Sequence, residues 1–221
     1  GKYPSHNGIS RRTLHDVMYG ECMRLGIPFK MGQTVETIDN RPDGVDVTFT
    51  DGSMGSYDLL IASDGINSKV RGMVFEDISP RYVGLSVWRY PFKRHEDLDT
   101  GHMYYGKKSK IGFIPMSEDS MYMFLVSAEG ENWKLNEEEL VPKLKEYMSE
   151  FPMKMAQDLM RQVTDSKLVN YRTLDALRIT GEWYNNRVVI IGDGAHATIP
   201  QLGSGAALAI EDAVVLADEL N

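Results

Sequence analysis

Residues 188–220 read VVIIGDGAHATIPQLGSGAALAIEDAVVLADEL and stop one residue short of Asn221. The stretch reads as a buried strand, a glycine-rich turn carrying Asp193 and His196, and a helix. Gly192, Gly194, Gly203 and Gly205 let backbone approach a ligand closely. A helix starting near Gly203 aims unpaired N–H groups and a positive dipole end at whatever sits there. Asp193 can accept hydrogen bonds from a sugar or ribityl hydroxyl, or hold a phosphate through water. This is the architecture of a phosphate or nucleotide site. A tight strand–helix connection without a ligand is the plainer alternative, and for His196 a packed turn residue is the plainer role. Ala206, Ala209, Ile210, Ala213 and Ala217 are expected on the buried face of the helix.

Outward from that stretch, the composition is that of a globular protein. The 221 residues are 42% hydrophobic and 25% charged, and 24 Lys+Arg against 32 Asp+Glu give a formal charge of −8. An acidic balance leaves no footprint for nucleic acid. No apolar run approaches the ~20 residues of a bilayer span, and no secretory signal is present. One cysteine, Cys22, excludes an internal disulfide framework and fits a reducing, cytoplasmic setting. No metal site is expected. The first residues, Gly1-Lys2-Tyr3, lack a methionine, so the chain is expected to be a partial view of a longer protein.

Ser10 reads as an N-cap, with Leu14, Val17, Met18, Cys22 and Leu25 at helical spacing and Gly26 and Pro28 as the stop. QTVETIDN and GVDVTFTDG flank the turn Arg41-Pro42-Asp43-Gly44, a hairpin. YDLLIASDG is an apolar strand running into a glycine turn. Then RYVGLSVWRYPF, GHMYYG, KIGFIPM and SMYMFLVSA form a mainly antiparallel sheet. Two helices follow, NEEELVPKLKEYMSEF and PMKMAQDLMRQVT, the second with Pro152 in its first turn. The expected fold is α/β (α+β overall), with nucleotide-type βα elements at both ends around an inserted antiparallel β-sheet.

Two further segments carry chemistry. ASDGINSKVR, residues 62–71, places Asp64-Gly65 at a strand end, with Ser68 and Arg71 on a short helix. Alone it is also what a plain cap and a solvated arginine look like. ISRRTLHDVM puts Arg11 and Arg12 in the first turn of a helix, against its dipole. A nearby anion would compensate; a solvated basic turn is the alternative.

In this order and spacing, the three segments resemble the FAD-dependent aromatic hydroxylases, the family of p-hydroxybenzoate and salicylate hydroxylases. DGINSKVR matches the family's Asp-Gly-x-x-Ser-x-Val-Arg motif. GDGAHATIPQLGSGAALAIEDA matches its Gly-Asp-x-x-His-x-x-x-Pro-x-x-Gly-x-Gly loop and the Glu-Asp-Ala beyond it. SRRTL matches its Arg-x-x-Leu helix start through Arg11. Many relatives have Gln at Ser204 and Asn near Ala206-Ala207, so local flavin contacts are expected to differ. The family's first βαβ unit, with its Gly-x-Gly-x-x-Gly loop, has no counterpart in residues 1–221.

The resemblance implies a Rossmann-like FAD-binding domain in two pieces, 1–76 and 176–221, around a substrate domain at 77–175. It implies that Asp193 binds the ribityl–diphosphate region and that Pro200 sits beside the isoalloxazine. Gly203, Ser204, Gly205 and Ala206 would lie at the flavin's pyrimidine edge. Arg11 would contact the ribityl chain or phosphates, Val35 would lie by the adenine, and Asp64, supported by Arg71, would organise FAD and the NAD(P)H path. The implied activity is hydroxylation of a small aromatic with NAD(P)H and O2 through a flavin C4a-hydroperoxide. The β-sheet would form the pocket floor, where Arg89, Tyr90, His102, Tyr104, Tyr105 and Tyr122 are candidates for holding or deprotonating substrate. Alternation puts Tyr104 and Tyr105 on opposite faces. A same-fold reductase or epoxidase, and a non-catalytic nucleotide-binding module, remain alternatives at this point.

Overall fold

The computed structural model describes residues 9–75, 78–130, 135–201 and 203–221. In chain order it contains α1 (Arg11–Arg24), β1 (Val35–Arg41), β2 (Gly44–Phe49), β3 (Met54–Tyr57), β4 (Leu60–Ala62) and α2 (Lys69–Val74). Four strands follow: β5 (Arg81–Lys93), β6 (His102–Tyr105), β7 (Ser109–Pro115) and β8 (Ser120–Ala128). Then come α3 (Glu137–Met148), α4 (Lys154–Gln162), β9 (Asn170–Ala176), β10 (Tyr184–Asn185), β11 (Val188–Ile190), α5 (Asp193–His196) and α6 (Gly205–Leu220). The boundary expected between residues 76 and 77 lies outside the described residues.

The chain divides into two compact units. One, the sheet unit, holds residues up to Pro28 together with Gly84–Leu174; the other, the loop unit, holds Phe29–Val83 and Asp175–Asn221.

The sheet unit is built on the order β6-β7-β8-β5-β9. Strands β5 to β8 pair antiparallel, as their alternating sequences predict. Trp88, Tyr90 and Phe92 of β5, Ile111 and Phe113 of β7, and Met121, Met123 and Leu125 of β8 point to one side. There α3 and α4 cover them with Leu144, Met148, Met155, Ala156 and Leu159. The start of α3 is fixed by a capping box between Asn136 and Glu139. In α4, Met153 is the N-cap, so Pro152 lies just before the helix and not in its first turn. In α1, Ser10 caps through its hydroxyl to the Thr13 N–H, as the sequence predicts, yet no residue of the helix is buried.

The loop unit contains the β1–β2–β3 meander and a smaller sheet of order β10-β11-β4. The hairpin turn closes where expected, with Arg41 opposite Gly44. Its core gathers Val45, Val47, Ala62, Val70, Val188, Ile190 and Ala195.

The expected inner face of α6 needs correction. None of its residues is buried, and Ile210 is 52% exposed. The half-covered positions are Gly205, Leu208, Ala209, Asp212 and Leu216. A helix that is apolar nearly all round does not declare its phase by spacing. Here the phase follows from Ala209 meeting Gly192, where a built Cβ would stand 3.2 Å from the Ala209 methyl, and from the reach of Asp212.

Candidate flavin loops and the aromatic sheet face

Strands β4 and β11 lie side by side and parallel, Leu60 beside Val188 and Ala62 beside Ile190. Both therefore release their loops at the same end, where ligands of open α/β sheets bind. Each loop begins with a left-handed glycine, Gly65 at φ +83° and Gly192 at φ +60°. The loops touch: a Cβ added to Gly194 would stand 3.7 Å from the Gly65 carbonyl oxygen.

Arg71 ties them together. Its guanidinium donates to the carbonyls of Gly194 (2.9 Å), Ile66 (2.8 Å) and Ile78 (3.2 Å). The side chain is 4% exposed, and burial pulls its pKa below the ordinary value, with Asp64 opposing. Arginine stays charged despite such a shift. Asp64 works locally. One oxygen accepts from the Ser68 hydroxyl and the other from the N–H groups of Lys69 (2.9 Å) and Val70 (3.2 Å). Ser68 in turn accepts from the Arg71 N–H at 2.9 Å. The Asp-Gly-x-x-Ser-x-x-Arg spacing thus encodes an N-cap network plus a cross-loop clamp.

A second clamp comes from α6. Asp212 accepts from the Gly192 N–H at 2.7 Å and faces His196 Nε2 at 2.6 Å. The His196 ring lies against Trp183, centroids 4.9 Å apart. The loop is held from both sides, while Asp193 between the clamps is exposed and unbonded among the described residues. Pro200 and Ala206 are exposed, Gly203 has φ +64°, and Ser204 caps α6, which starts at Gly205. Leu202 lies outside the described residues. Val35 opens β1 and packs on the loop unit's core. Arg11 is the exposed first residue of α1, in the sheet unit.

Sequence reasoning missed Asp212 and Trp183. The Glu-Asp-Ala signature held the first, but nothing local showed that its carboxylate reaches back twenty positions.

On the five-stranded sheet the aromatic candidates separate. Tyr90 is in the core beneath α4. Tyr104 packs against the same core, and its hydroxyl meets His102 Nδ1 at 3.3 Å. His102 Nε2 faces Asp99 at 3.1 Å, which holds that carboxyl below its usual range. Tyr122 and Arg89 point to the opposite side, half-buried, with Phe124 beside them and Val87 and Val126 of the same face buried. Tyr105 is on that side too, 77% exposed on the edge strand β6. So is Lys110, a residue missed from sequence: it is 8% exposed, burial pushes its pKa down, and its ammonium stands 5.8 Å from the Phe124 centroid. A lysine in a strand core ordinarily reads as an edge or surface residue, so only burial marks it out.

Comparison with known proteins places this arrangement. The FAD binding domain family matches residues 1–221. The chain belongs to that family. It is 29% identical to the aurachin C monooxygenase/isomerase of Stigmatella aurantiaca over 217 residues, 96% of this chain and 54% of that protein. It is 30% identical to the FAD-dependent urate hydroxylase of Klebsiella pneumoniae over 213 residues, 94% of this chain and 54% of that protein. The solved structure of Klebsiella pneumoniae HpxO with FAD and uric acid superposes with a TM-score of 0.82 at 30% identity, covering 94% of this chain and 53% of that one. A salicylate hydroxylase substrate complex, at 20% identity and a TM-score of 0.70, shares the fold. The chain thus spans about half the length of the relatives it matches, and it is FAD-dependent aromatic hydroxylase-like. No helix among the described residues is long and apolar enough to cross a membrane, and no cluster of metal ligands occurs among them.

Proposed function

We propose that this chain is part of a flavin monooxygenase that uses NAD(P)H and O2 to hydroxylate a small aromatic substrate. The observation that carries the reading is the pair of glycine turns at the ends of β4 and β11, clamped by Arg71 and Asp212 around a free Asp193.

The residues fit FAD. Gly192 and Gly203 give bare backbone in left-handed geometry. Asp193 offers an unspent carboxylate for ribityl or phosphate-bound groups, and the start of α6 offers N–H donors at Gly203–Gly205. Pro200, Ala206 and Val35 belong to the same unit, with Asp64 shaping the neighbouring turn. When bound, FAD supplies the hydride acceptor and the site of oxygen activation. The chain's part is to fix the loop before binding, so that little ordering is required afterwards. Backbone N–H groups near Gly203 and Gly205 would stabilise negative charge on the reduced ring. The face of the sheet opposite α3 and α4, with Arg89, Tyr122, Phe124 and Lys110, would hold the substrate and exclude water from it.

The test uses the full-length protein. It should purify yellow with about one FAD per chain, and an aromatic substrate should stimulate NAD(P)H oxidation and yield a hydroxylated product. A colourless protein, or oxidation that no phenolic or heteroaromatic compound stimulates, would end this reading.

A further inference from the structure

We propose that Tyr171 is a redox-active tyrosine, which reduces an oxidised Trp88 while its phenolic proton passes to Glu129. The site lies on the helix-covered side of the sheet unit, and its chemistry is independent of the monooxygenase reading.

Trp88 is 0% exposed, the largest fully buried side chain among the described residues. Its ring lies against two tyrosines from different elements. Tyr171 of β9 stands 4.4 Å away between centroids, and Tyr147 of α3 stands 5.8 Å away. Aromatic rings at such separations are in contact, and an electron crosses between contacting rings without a carrier.

One carboxylate serves all three rings. The Tyr171 hydroxyl donates to Glu129 Oε2 at 2.8 Å, and the Tyr147 hydroxyl donates to Oε1 at 3.3 Å. Trp88 Nε1–H donates to Ser127 Oγ at 2.9 Å, and Ser127 donates onward to Glu129 Oε1 at 2.7 Å. Glu129 is half-buried, just past the end of β8. A carboxylate set against a core is costly unless donors surround it, and Ser127, Tyr147 and Tyr171 do so. Beyond tying β8 to α3 and β9, this arrangement puts a base at the phenol. An oxidised phenol is a strong acid, so tyrosine gives up an electron readily only where a base takes its proton at once. Trp88 lacks that help, because Ser127 separates its N–H from the carboxylate. Tyr147 is the poorer donor of the two tyrosines. Its bond to Glu129 is longer, and burial followed by the Glu129 charge pushes its pKa up to about 12.

The oxidant is a one-electron oxidant of the oxygen-derived radical class. It takes one electron from Trp88 and leaves as its anion. Trp88 regains that electron from Tyr171, and the Tyr171 proton crosses to Glu129 Oε2. The products are the reduced oxidant, a neutral tyrosyl radical and a protonated Glu129, with Trp88 restored. The oxidising equivalent thus leaves a fully buried ring for a half-buried one on the edge strand β9, where a dissolved reductant reaches it.

The test is an ultraviolet laser flash on the full-length protein as purified, in air, so that dioxygen takes up the electron ejected from indole. Light ionises buried tryptophans directly. Transient absorption should show an indolyl band decaying as a phenoxyl band grows, at a rate independent of protein concentration and slower in D2O. Tyr171→Phe keeps the ring and deletes the hydroxyl, and it should abolish that phase, as should Trp88→Phe. Glu129→Gln keeps an acceptor oxygen but is a poor base, and it should slow the phase about tenfold or more. Glu129→Asp should recover part of the rate. Tyr147→Phe and Trp183→Phe should leave the phase in place. Should Trp88→Phe fail to fold, Tyr171→Phe carries the test. An indolyl band that decays with no phenoxyl growth, or growth untouched by Tyr171→Phe, overturns the proposal. Loss of the phase in Tyr147→Phe overturns it too and moves the donor to α3. An equal rate in Glu129→Gln also overturns it and leaves Glu129 a structural tie alone.

Discussion

Helices α3 and α6 make an instructive contrast. Helix α3 is charged over much of its length, EEELVPKLKEYM, yet Leu144, Tyr147 and Met148 are buried. Helix α6 is apolar almost throughout, GAALAIEDAVVLADEL, yet it buries nothing. What α6 does place with care is polar: Asp212, directed at Gly192 and His196. Burial is thus conferred by a partner surface and not by a helix's own hydropathy. In the sheet unit, side chains are arranged to exclude water. In the loop unit, beside a core of their own, Arg71 and Asp212 are arranged to hold the backbone of the two glycine turns.

The contrast breaks most visibly at Leu144. It is fully buried between α3 and the sheet, and Leu144→Ala should lower unfolding free energy by roughly 2–5 kcal/mol in chemical denaturation. A loss below about 1 kcal/mol would mean the sheet–helix core is not the stable half. Arg71→Met tests the other region. It strips three carbonyls of their donor, and the expected loss is roughly 2–4 kcal/mol. FAD affinity should fall with it, because the glycine turns lose their cross-link. Unchanged FAD binding in a folded Arg71→Met protein would detach the clamp from the cofactor.

Tyr147 sharpens the comparison through pH. Burial first, and then the Glu129 charge, push its pKa up to about 12. Its hydroxyl donates to Glu129 at 3.3 Å, a carboxylate that also receives Ser127 and Tyr171. The folded value lies above the unfolded one, near 10. Tyr147 therefore contributes stability that is fully present below about pH 10 and is lost as pH rises towards 12. The loss should approach roughly 2–3 kcal/mol, read as thermal midpoint against pH. Tyr147→Phe should flatten that part of the profile; an unaltered profile would show that another group sets it.

Much of this was legible in the sequence because it was encoded locally. The Arg41–Gly44 turn, the Ser10 cap and the Asp64–Ser68 network all lie within a few residues of chain, where side-chain chemistry decides geometry. The antiparallel sheet was legible through its period of two. Which face α3 and α4 would cover was not, because alternation separates Tyr90 from Arg89 without saying which side meets the helices. The clamp from Arg71 to Gly194 spans 123 positions, and no spacing rule announces it. The phase of α6 failed for the same reason: with apolar residues on every side, the contact of Ala209 with Gly192 and the two hydrogen-bond partners of Asp212 set it.

The smallest effect expected is on α6, and it is informative for being small. Val214 is 55% exposed and belongs to a helix with no buried residue. In the 221-residue chain, Val214→Ser should change stability by no more than about 0.5 kcal/mol, while reducing the binding of a dye that reports exposed apolar surface. Asp212→Ala, two residues away on the same helix, should cost about 1–3 kcal/mol, because it leaves the Gly192 N–H without its acceptor. If α6 were held by its apolar residues, the order would reverse, with Val214→Ser the more damaging. Denaturation of the two variants side by side therefore decides whether one carboxylate or the helix's apolar surface anchors it to the loop.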